Sequence, residues 1–442
     1  MRPAMSLPQF YLFVHILFLC CLAVHCALAG SAFWILFAYL RRRSGGLAAE
    51  ARLLAFPLPH DLPAVLIQLP TYNEGRLIAR AAQAVAKLDW PVDKLHVQIL
   101  DDSSDDSLME SEAAADGLRA SGISAEVIAR HHREGFKAGA LAEGLRRSCE
   151  PFVVIFDADY MPAPDFLRLC MRPLLNDPRL AFVQARCDYL NADENAVTDA
   201  QQRVLDAHFA VEQAARSWSD QVLPFNGTCG IWRRAAIDAA GGWQGDTLAE
   251  DLDLSYRAQL VGWRAVFLSG VTVKGELPRS LPVWRQQQFR WTKGFAEAGR
   301  KLLWRVWRSP LRFGQKLGST FHLGGGLLGP LFTLTLASGV IDLSVGYGPT
   351  WTSMLLLAAS LLGGAIIGPA ALMLAAQILV RGSTLAVEIP RLPRVLAFQL
   401  GNGLANLGAA VEAVFGRETA FERTPKHAEM SVQNCYAPRS GS

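Results

Sequence analysis

The sequence predicts an α/β domain with a mainly parallel sheet, inserted between segments that cross a membrane. The 442-residue chain is 51% hydrophobic and 19% charged, and its positive mean hydropathy of +0.19 indicates that part of it lies in lipid. Long uncharged stretches occur near the N-terminus and beyond residue 316. Between them, short apolar runs alternate with helical segments, a pattern typical of α/β domains.

The charge and the cysteines exclude two classes of protein. The formal net charge is +3, and the tightest basic cluster is Arg41-Arg42-Arg43. Nucleic acid is therefore not expected as a partner, because neutralising phosphates needs many Lys and Arg on one face. The eight cysteines form no CxxC pair, so we predict reduced thiols rather than a zinc site.

The first element is predicted to be a membrane anchor with its flank, residues 1–51. No Asp, Glu, Lys or Arg occurs between Arg2 and Arg41, and about 20 such residues cross a bilayer as a helix. The basic triplet then places the end of this helix in the cytoplasm. A signal peptide cleaved after Ala27-Leu28-Ala29 is the alternative, but the apolar run continues to Leu40.

Residues 52–280 are predicted to form a globular domain in the cytosol. Its expected strands are the apolar runs Ala64–Leu69, His96–Leu100, Glu126–Ala129, Phe152–Phe156 and Leu180–Ala185. The expected helices are Gly75–Leu88, Asp106–Ala120, Gly135–Arg147 and Pro164–Leu175. Ligands of such sheets bind beyond the carboxyl ends of the strands.

Acidic and amide side chains follow three of these strands. The first strand runs into Thr71-Tyr72-Asn73-Glu74, the second into Asp101-Asp102-Ser103-Ser104 and the fourth into Asp157-Ala158-Asp159. Acids gathered at one edge repel each other unless a cation compensates them. Mg²⁺ or Mn²⁺ takes one or two carboxylates and completes its shell with phosphate oxygens. These loops therefore predict a divalent metal site and a nucleoside diphosphate ligand.

The C-terminal part is predicted to return to the membrane. Residues 281–316 are expected to form amphipathic interfacial helices, and residues 317–381 two transmembrane helices. Residues 382–416 are predicted to be an interfacial or re-entrant segment, because Gln399, Asn402 and Asn406 are unfavourable against lipid. A fourth crossing is the alternative. Residues 417–442 are expected to form a cytosolic tail.

Eight motifs occur in order along the chain: TYNE, LDDSSDDS, FKAGAL, FDADY, FNGTCGIWRR, LAEDLDLSYR, QQQFRW and FERTPK. With them, the sequence resembles the membrane-embedded family 2 glycosyltransferases of the cellulose-synthase-like kind, and most closely the mannan or glucan synthase-like enzymes. The resemblance covers about Pro63 to Lys426. It implies a catalytic domain of the GT-A type, a nucleotide-sugar donor, and Mg²⁺ or Mn²⁺ as cofactor.

The resemblance also assigns roles at the donor end of the site. It implies that Tyr72, Glu74, Asp101 and Asp102 hold the base and ribose of the donor. Lys137 would face the diphosphate, and Asp159 would ligate the metal. Asp157 would approach the ribose or the surroundings of the metal, because alternate residues of an extended chain point in different directions.

Further roles are implied for the reacting centre and the acceptor. Asp251, with Glu250 beside it, matches the acidic motif whose Asp acts as general base, whereas Asp253 is expected to be a helix-surface residue. Gln287, Arg290 and Trp291 of QxxRW lie on one helix face and would contact the acceptor or the diphosphate, with Phe225, Asn226, Gly227, Thr228, Cys229 and Gly230 below the acceptor. Phe421, Thr424 and Lys426 resemble a gating segment, the alternative being a basic tail.

The expected function is inverting transfer of a sugar from a UDP- or GDP-sugar to a growing β-glycan, at the cytosolic face of a membrane. We expect an integral membrane protein, in the bacterial inner membrane. Three spans are few for a complete secretion channel, so a homo-oligomer, an accessory secretion subunit, or single-sugar transfer to a membrane lipid would be needed. A non-catalytic subunit that binds nucleotide-sugars is the remaining alternative, which the presence of Asp102, Asp159 and Asp251 disfavours.

Overall fold

A seven-stranded sheet forms the centre of the fold and confirms the α/β class. The computed structural model describes residues 7–344, 351, 354–355, 358 and 361–416. The strands are β1 (Val65–Thr71), β2 (Leu95–Asp101), β3 (Ser124–Ala129), β4 (Phe152–Ile155), β5 (Leu180–Tyr189), β6 (Gly230–Arg233) and β7 (Arg264–Gly275).

The strand order is β3-β2-β1-β4-β6-β5-β7. The pairs β1–β2, β1–β4, β2–β3 and β5–β7 are parallel, and only β6 runs antiparallel to its neighbours β4 and β5. The five predicted strands are all present. The sequence analysis missed β6 and β7, because β6 has only four residues and β7 alternates buried with partly exposed positions.

Helices connect the strands and cover both faces of the sheet. The helices up to β7 are α1 (Leu7–Ala55), α2 (Arg76–Val85), α3 (Ser107–Ala120), α4 (Phe136–Arg146), α5 (Phe166–Asn176), α6 (Ala196–Asp206), α7 (Gln213–Trp218), α8 (Arg234–Ala239) and α9 (Glu250–Leu260). A π-helical turn, Ala207–Glu212, joins α6 to α7.

The helices after the sheet differ in detail from the predicted spans. They are α10 (Leu281–Arg308), α11 (Phe313–Gly324), α12 (Leu328–Ser344), α13 (Gly368–Leu379), α14 (Leu385–Glu388), α15 (Leu392–Ala405) and α16 (Leu407–Val414). Within the segment 317–381, where two transmembrane helices are predicted, the first apolar stretch is divided by a short 3₁₀ turn, Gly325–Leu327. Consecutive glycines favour such a break in a helix. Within the described ranges, α1 alone is long and apolar enough to cross a bilayer.

Alternate residues of each strand pack into two separate cores. Ile67 of β1 packs with helices α2, α3 and α5 on one face, whereas its neighbour Leu66 packs on the other face. This second core contains α4 and α9, and it also contains Ile35 of α1 and Ala376 of α13. The apolar helices α1 and α13 are therefore part of the sheet's own core.

Ion pairs join the C-terminal helices to the sheet and the helices around it. Arg381, which follows α13, lies 2.7 Å from carboxylate oxygens of both Asp188 on β5 and Asp206 on α6. Arg203 on α6 donates to Glu388 on α14 at 2.9 Å. Asp206 and Glu388 are buried, so these contacts fix how the two parts meet.

Candidate active site

A cavity of about 730 Å³ lies at the carboxyl ends of β1, β2 and β4 and continues between α1, α10, α13 and α15. The predicted site residues that line it are Tyr72, Glu74, Asp102, Lys137, Asp157, Asp159, Gly227, Thr228, Glu250, Asp251, Gln287, Arg290 and Trp291. Asp102, Asp159 and Asp251, which come from distant parts of the sequence, therefore face one space.

Asp101, which is predicted to hold the donor, is not among the residues that line this cavity. Its side chain is buried, and the carboxylate accepts hydrogen bonds from Ser111 Oγ at 2.5 Å and from the Ser103 amide at 2.7 Å. Asp101 thus holds the loop after β2 in place. The predicted gating residues Phe421, Thr424 and Lys426 lie outside the described residues.

The loops after β1 and β2 are held together by hydrogen bonds. The Asn73 amide donates to Ser103 Oγ at 2.8 Å, and the Ser104 amide donates to Asn73 Oδ1 at 2.9 Å. Asn73 adopts a positive φ of 53°, a conformation that Asn tolerates better than most residues. This turn places Tyr72 and Asp102 on the same side of the cavity.

Two arginines that the sequence analysis did not select complete this side. Arg130 donates two hydrogen bonds to the Asp102 carboxylate, at 2.7 and 2.5 Å. The guanidinium carbon of Arg133 lies 3.4 Å from the centre of the Tyr72 ring, a cation–π contact. Arg130 directly follows β3. Because ligands bind beyond the carboxyl ends of parallel strands, a search of the residues after β3 would have identified Arg130.

Lys137 lies at the centre of the acidic group. Its ammonium donates to Asp157 Oδ1 at 2.5 Å and to the Gly227 carbonyl at 2.9 Å. Burial by itself lowers the pKa of Lys137, but the carboxylates of Asp157, Glu250 and Asp251 outweigh burial and raise it. Lys137 therefore stays charged, as a residue that binds a diphosphate must.

Asp159 and Asp157 are carboxylates, the type of ligand that a hard divalent cation prefers. Asp159 is buried, and Asp157, two residues earlier, lines the same cavity. Among residues 7–344 and the described residues beyond them, no group of three or more His, Cys, Asp or Glu side chains could hold an ion alone. A Mg²⁺ or Mn²⁺ ion with one or two protein carboxylates takes its other oxygens from phosphate or water.

Asp251 lies in the first turn of α9 with the properties of a general base. Its Oδ1 accepts a hydrogen bond from the Leu252 amide at 2.8 Å. Burial and the neighbouring Glu250 carboxylate raise the pKa of Asp251 to about 7, and Lys137 opposes this rise. Burial also raises the pKa of Glu250. A carboxylate with a pKa near the operating pH accepts and releases protons efficiently.

Asp253 is fully buried, so the expectation that it lies on the helix surface is wrong. It accepts a hydrogen bond from Arg257 Nε at 2.8 Å and lies 3.0 Å from Lys301 on α10. Arg257 is the last residue of the same motif, whereas Lys301 lies outside it on α10. Asp253 is not among the residues that line the cavity, so its part is to join α9 to α10.

The QxxRW residues reach the cavity from α10, and a series of aromatic rings continues from them. The ring centres of Trp291 and Trp284 are 6.3 Å apart in an edge-to-face arrangement. Trp284 stacks on Phe398 of α15 with 5.8 Å between ring centres. Aromatic faces bind the apolar faces of sugars, so this series suits a saccharide ligand.

Gly227 leaves no room for a side chain beside Asp251. A Cβ built on it would lie 2.9 Å from Asp251 Oδ2, and its φ is +76°. We expect Gly227→Ala to displace the Asp251 carboxylate and to lower turnover by at least about tenfold, since a misplaced catalytic group has such effects. Steady-state kinetics of nucleotide release measure this loss.

Gly242→Ala is the matched control for Gly227→Ala. Gly242 has a similar φ of +71°, but a Cβ there meets no atom within 4 Å. Both substitutions carry the strain of a left-handed backbone, about 1–2 kcal/mol, whereas only the first disturbs Asp251. Equal losses of turnover in the two variants would contradict the proposed contact.

Comparison with known proteins identifies a matching family and similar proteins. Residues 63–294 match the family described as "Glycosyltransferase like family 2". Over 263 residues, the chain is 43% identical to glucomannan 4-beta-mannosyltransferase 2 of Arabidopsis thaliana, covering 58% of this chain and 49% of that protein. It is 39% identical over 310 residues to probable glucomannan 4-beta-mannosyltransferase 6 of Oryza sativa subsp. japonica, covering 67% and 54% respectively.

Among solved structures, the fold is similar to the mannosyltransferase PcManGT from Pyrobaculum calidifontis in complex with GDP-Man and Mn²⁺. The TM-score is 0.57 at 20% sequence identity, and the match covers 88% of this chain and 100% of that chain. This likeness confirms the predicted GT-A type of fold. The chain spans about half the length of the curated relatives it matches, and these relatives are plant proteins, so they do not support a bacterial membrane.

Proposed function

The chain belongs to glycosyltransferase family 2, and on that premise we propose that it transfers mannose from GDP-mannose to a growing β-glycan. The observation that carries the proposal is the shared cavity of Asp102, Asp159 and Asp251, with Trp291 beside them. The names of the relatives, glucomannan 4-beta-mannosyltransferases, support mannose as the sugar and a β-glycan as the acceptor.

We assign donor binding to residues that follow β1, β2, β3 and β4. Tyr72 and Asp102, held by Arg133 and Arg130, would bind the nucleoside. Lys137 supplies a fixed positive charge for the diphosphate. When bound, Mg²⁺ or Mn²⁺ at Asp159, with Asp157 nearby, would add positive charge that stabilises the leaving diphosphate.

Asp251 would then act on the acceptor. It removes the proton from an acceptor hydroxyl while that oxygen forms a bond to the anomeric carbon of the donor sugar. The bond from the anomeric carbon to the diphosphate oxygen breaks on the opposite face, so the configuration inverts. Glu250 helps to hold the pKa of Asp251 near neutral, and the Trp291 ring would support the acceptor sugar.

The proposal also states where the protein and its catalytic domain are located in the cell. The uncharged N-terminal half of α1 and the arginines at 41–43 support an integral membrane protein with its catalytic domain on the cytosolic side. Because the cavity continues between apolar helices, a membrane lipid is the alternative acceptor. Extraction of the product with organic solvent, followed by gel filtration, distinguishes the two acceptors. A glycolipid partitions into the solvent. A long glycan stays in the aqueous phase and elutes early from the column.

Donor screening tests the proposed reaction. Membranes that contain the protein are incubated with labelled GDP-mannose, UDP-glucose or UDP-N-acetylglucosamine, with and without EDTA. We expect incorporation from GDP-mannose, loss of incorporation with EDTA, and recovery when Mn²⁺ or Mg²⁺ is added in excess. If only a UDP-sugar were incorporated, GDP-mannose would be refuted as the donor. If no donor were incorporated, the proposed transferase activity would be refuted.

A further inference from the structure

One side of α10 carries both residues that line the cavity and residues that contact the start of α9. Along this side the spacings alternate between three and four residues, which places the positions in one row on a helix. The row consists of Gln287, Arg290, Gly294, Glu297 and Lys301. The first two line the cavity, the other three do not, and none of the proposed catalytic steps uses those three.

Gly294 brings α10 into direct contact with the segment before Asp251. It is buried, and a Cβ built on it would lie 2.9 Å from both the amide nitrogen and the Cβ of Ala249. The same Cβ would lie 3.0 Å from the carbonyl carbon of Leu248. Such distances are shorter than van der Waals contact. Only a glycine therefore lets α10 approach the backbone of this segment so closely.

Glu297 supplies a hydrogen bond to the start of α9, which has no side-chain cap of its own. The N-cap residue of α9 is Ala249, whose side chain cannot accept a hydrogen bond. The amide of the preceding residue, Leu248, donates to Glu297 Oε2 at 2.8 Å. Asp251 is the second residue of α9. A displacement of Ala249 would therefore move the Asp251 carboxylate as well.

The next turns of α10 extend this contact along α9. Lys301 donates to Gln244 Oε1 at 2.7 Å and lies 3.0 Å from the buried carboxylate of Asp253. Ala298 of α10 and Leu252 of α9 belong to one apolar core. Polar contacts and apolar packing thus hold the two helices in one relative position.

We propose that Gly294 and Glu297 are positioning residues that set the distance between the acceptor and its general base. The inference rests on the proposed function, in which Trp291 supports the acceptor sugar. The same helix holds the start of α9 through Gly294 and Glu297, and a regular helix keeps fixed distances between its residues. An acceptor hydroxyl held at Trp291 thus meets the Asp251 carboxylate in a fixed geometry. A shift of about 1 Å can cost about a hundredfold in rate, so these residues affect turnover without touching a substrate.

The first test measures turnover of Gly294→Ala with saturating GDP-mannose and β-1,4-linked mannohexaose, in the purified full chain in detergent. We expect turnover to fall by at least about tenfold, because the new methyl group displaces the segment before Asp251. The affinity for GDP should stay within about twofold of wild type, since Gly294 does not line the cavity. Retained binding of GDP also establishes that the variant is folded.

Gly299→Ala is the matched control for Gly294→Ala. Gly299 lies in the same helix, but the nearest atom to a Cβ built there is the Leu323 carbonyl oxygen at 3.4 Å. Both substitutions raise the helix propensity of α10, whereas only the first requires α9 to move. Turnover of Gly299→Ala should be close to wild type. Equal losses in the two variants would overturn the proposed role of Gly294.

Repeating Gly294→Ala in the Asp251→Asn background distinguishes a positioning role from a structural one. In that background no base remains to be displaced. Gly294→Ala should therefore lower the residual transfer by less than about twofold, since effects that act through one group are not additive. The same fold-loss in both backgrounds would overturn the positioning role.

The contact of Glu297 is tested without sugar transfer. Exchange of the Leu248 amide with deuterium is followed by mass spectrometry of short peptides from the full chain. Glu297→Leu removes the acceptor of this amide and should speed the exchange by at least about tenfold, because local opening becomes easier. Glu297→Gln keeps an accepting oxygen and should exchange like wild type, and turnover of the two variants should follow the same order. Unchanged exchange in Glu297→Leu would overturn the contact.

These measurements separate the positioning role from the proposed function. Transfer from GDP-mannose that is unaffected by Gly294→Ala and Glu297→Leu would refute the positioning role and leave the transferase standing. If wild type transferred no sugar and Glu297→Leu still sped the exchange, the transferase would be refuted. The positioning role would then be refuted with it, because the contact would only stabilise the start of α9.

Discussion

Substitution Asp251→Asn is expected to lower the rate of sugar transfer by at least about a hundredfold, the smaller end of what a general base contributes. Asn has nearly the same shape as Asp but cannot accept a proton at neutral pH. Binding of GDP, measured by isothermal titration calorimetry in Mn²⁺, should stay within about twofold of wild type, because Asp251 acts on the acceptor. Equal loss of transfer and of nucleotide binding would refute its assignment as the base.

The pH dependence of transfer provides a second measurement on Asp251. Burial and the Glu250 carboxylate raise the pKa of Asp251 to about 7, and a base works only when it is unprotonated. The rate should therefore rise with pH through about 7 and level off above it. At a pH one unit below this pKa, about one tenth of the molecules carry the ionised base. A rate that is constant from about pH 5.5 to 8 would contradict this role.

A neighbouring acid serves as control for Asp251→Asn. Asp246 lies on the loop before α9, its side chain is 59% exposed, and it pairs with Lys301. It does not line the cavity. Asp246→Asn should therefore leave the rate of transfer and its pH profile close to wild type, since exposed ion pairs contribute little.

Asp159→Asn is expected to remove the effect of the divalent metal on donor binding. With Mn²⁺ present, the affinity for GDP should fall by at least about tenfold, because a neutral amide replaces the buried carboxylate that would hold the ion. In EDTA, wild type and variant should bind GDP equally weakly. Titration calorimetry in the two buffers measures both values.

The metal dependence of GDP binding decides the role of Asp159. An unchanged ratio of affinities with and without metal would refute it as a metal ligand. Asp165→Asn is the matched control, because Asp165 comes from the segment just after the motif, at the start of α5, and is not among the lining residues. The ratio of GDP affinities with and without metal should be the same for Asp165→Asn as for wild type.

The sequence predicted those parts of the site that depend on local patterns. Apolar runs identified β1, β2 and β4, and the carboxyl ends of parallel strands lie at one edge of a sheet, so Tyr72, Asp102 and Asp159 could be expected to meet. The placement of Asp251 beside Lys137 and Gly227 depends on packing between distant elements. Asp251 was selected from the resemblance to a family, because the periodicity of the sequence does not predict such packing.

Three residues show what the motifs alone could not predict. Asp253 was assigned to the helix surface, but Arg257 and Lys301 bury it, and its partner on α10 cannot be predicted from local spacing. Asp101 and Asp102 are adjacent acids of one motif, and only the side chain of the second reaches the cavity. Arg130 was overlooked because the end of β3 carries no acid.

The packing of α1 against the sheet has a practical consequence. Ile35, Ala38 and Tyr39 of α1 belong to the same core as Leu66 and Val153. Removal of α1 is therefore expected to destabilise the rest of the chain. A shortened chain that begins after α1 would present an apolar sheet surface to water, and such surfaces drive aggregation. We therefore expect that the chain stays folded and soluble in detergent only when α1 is retained.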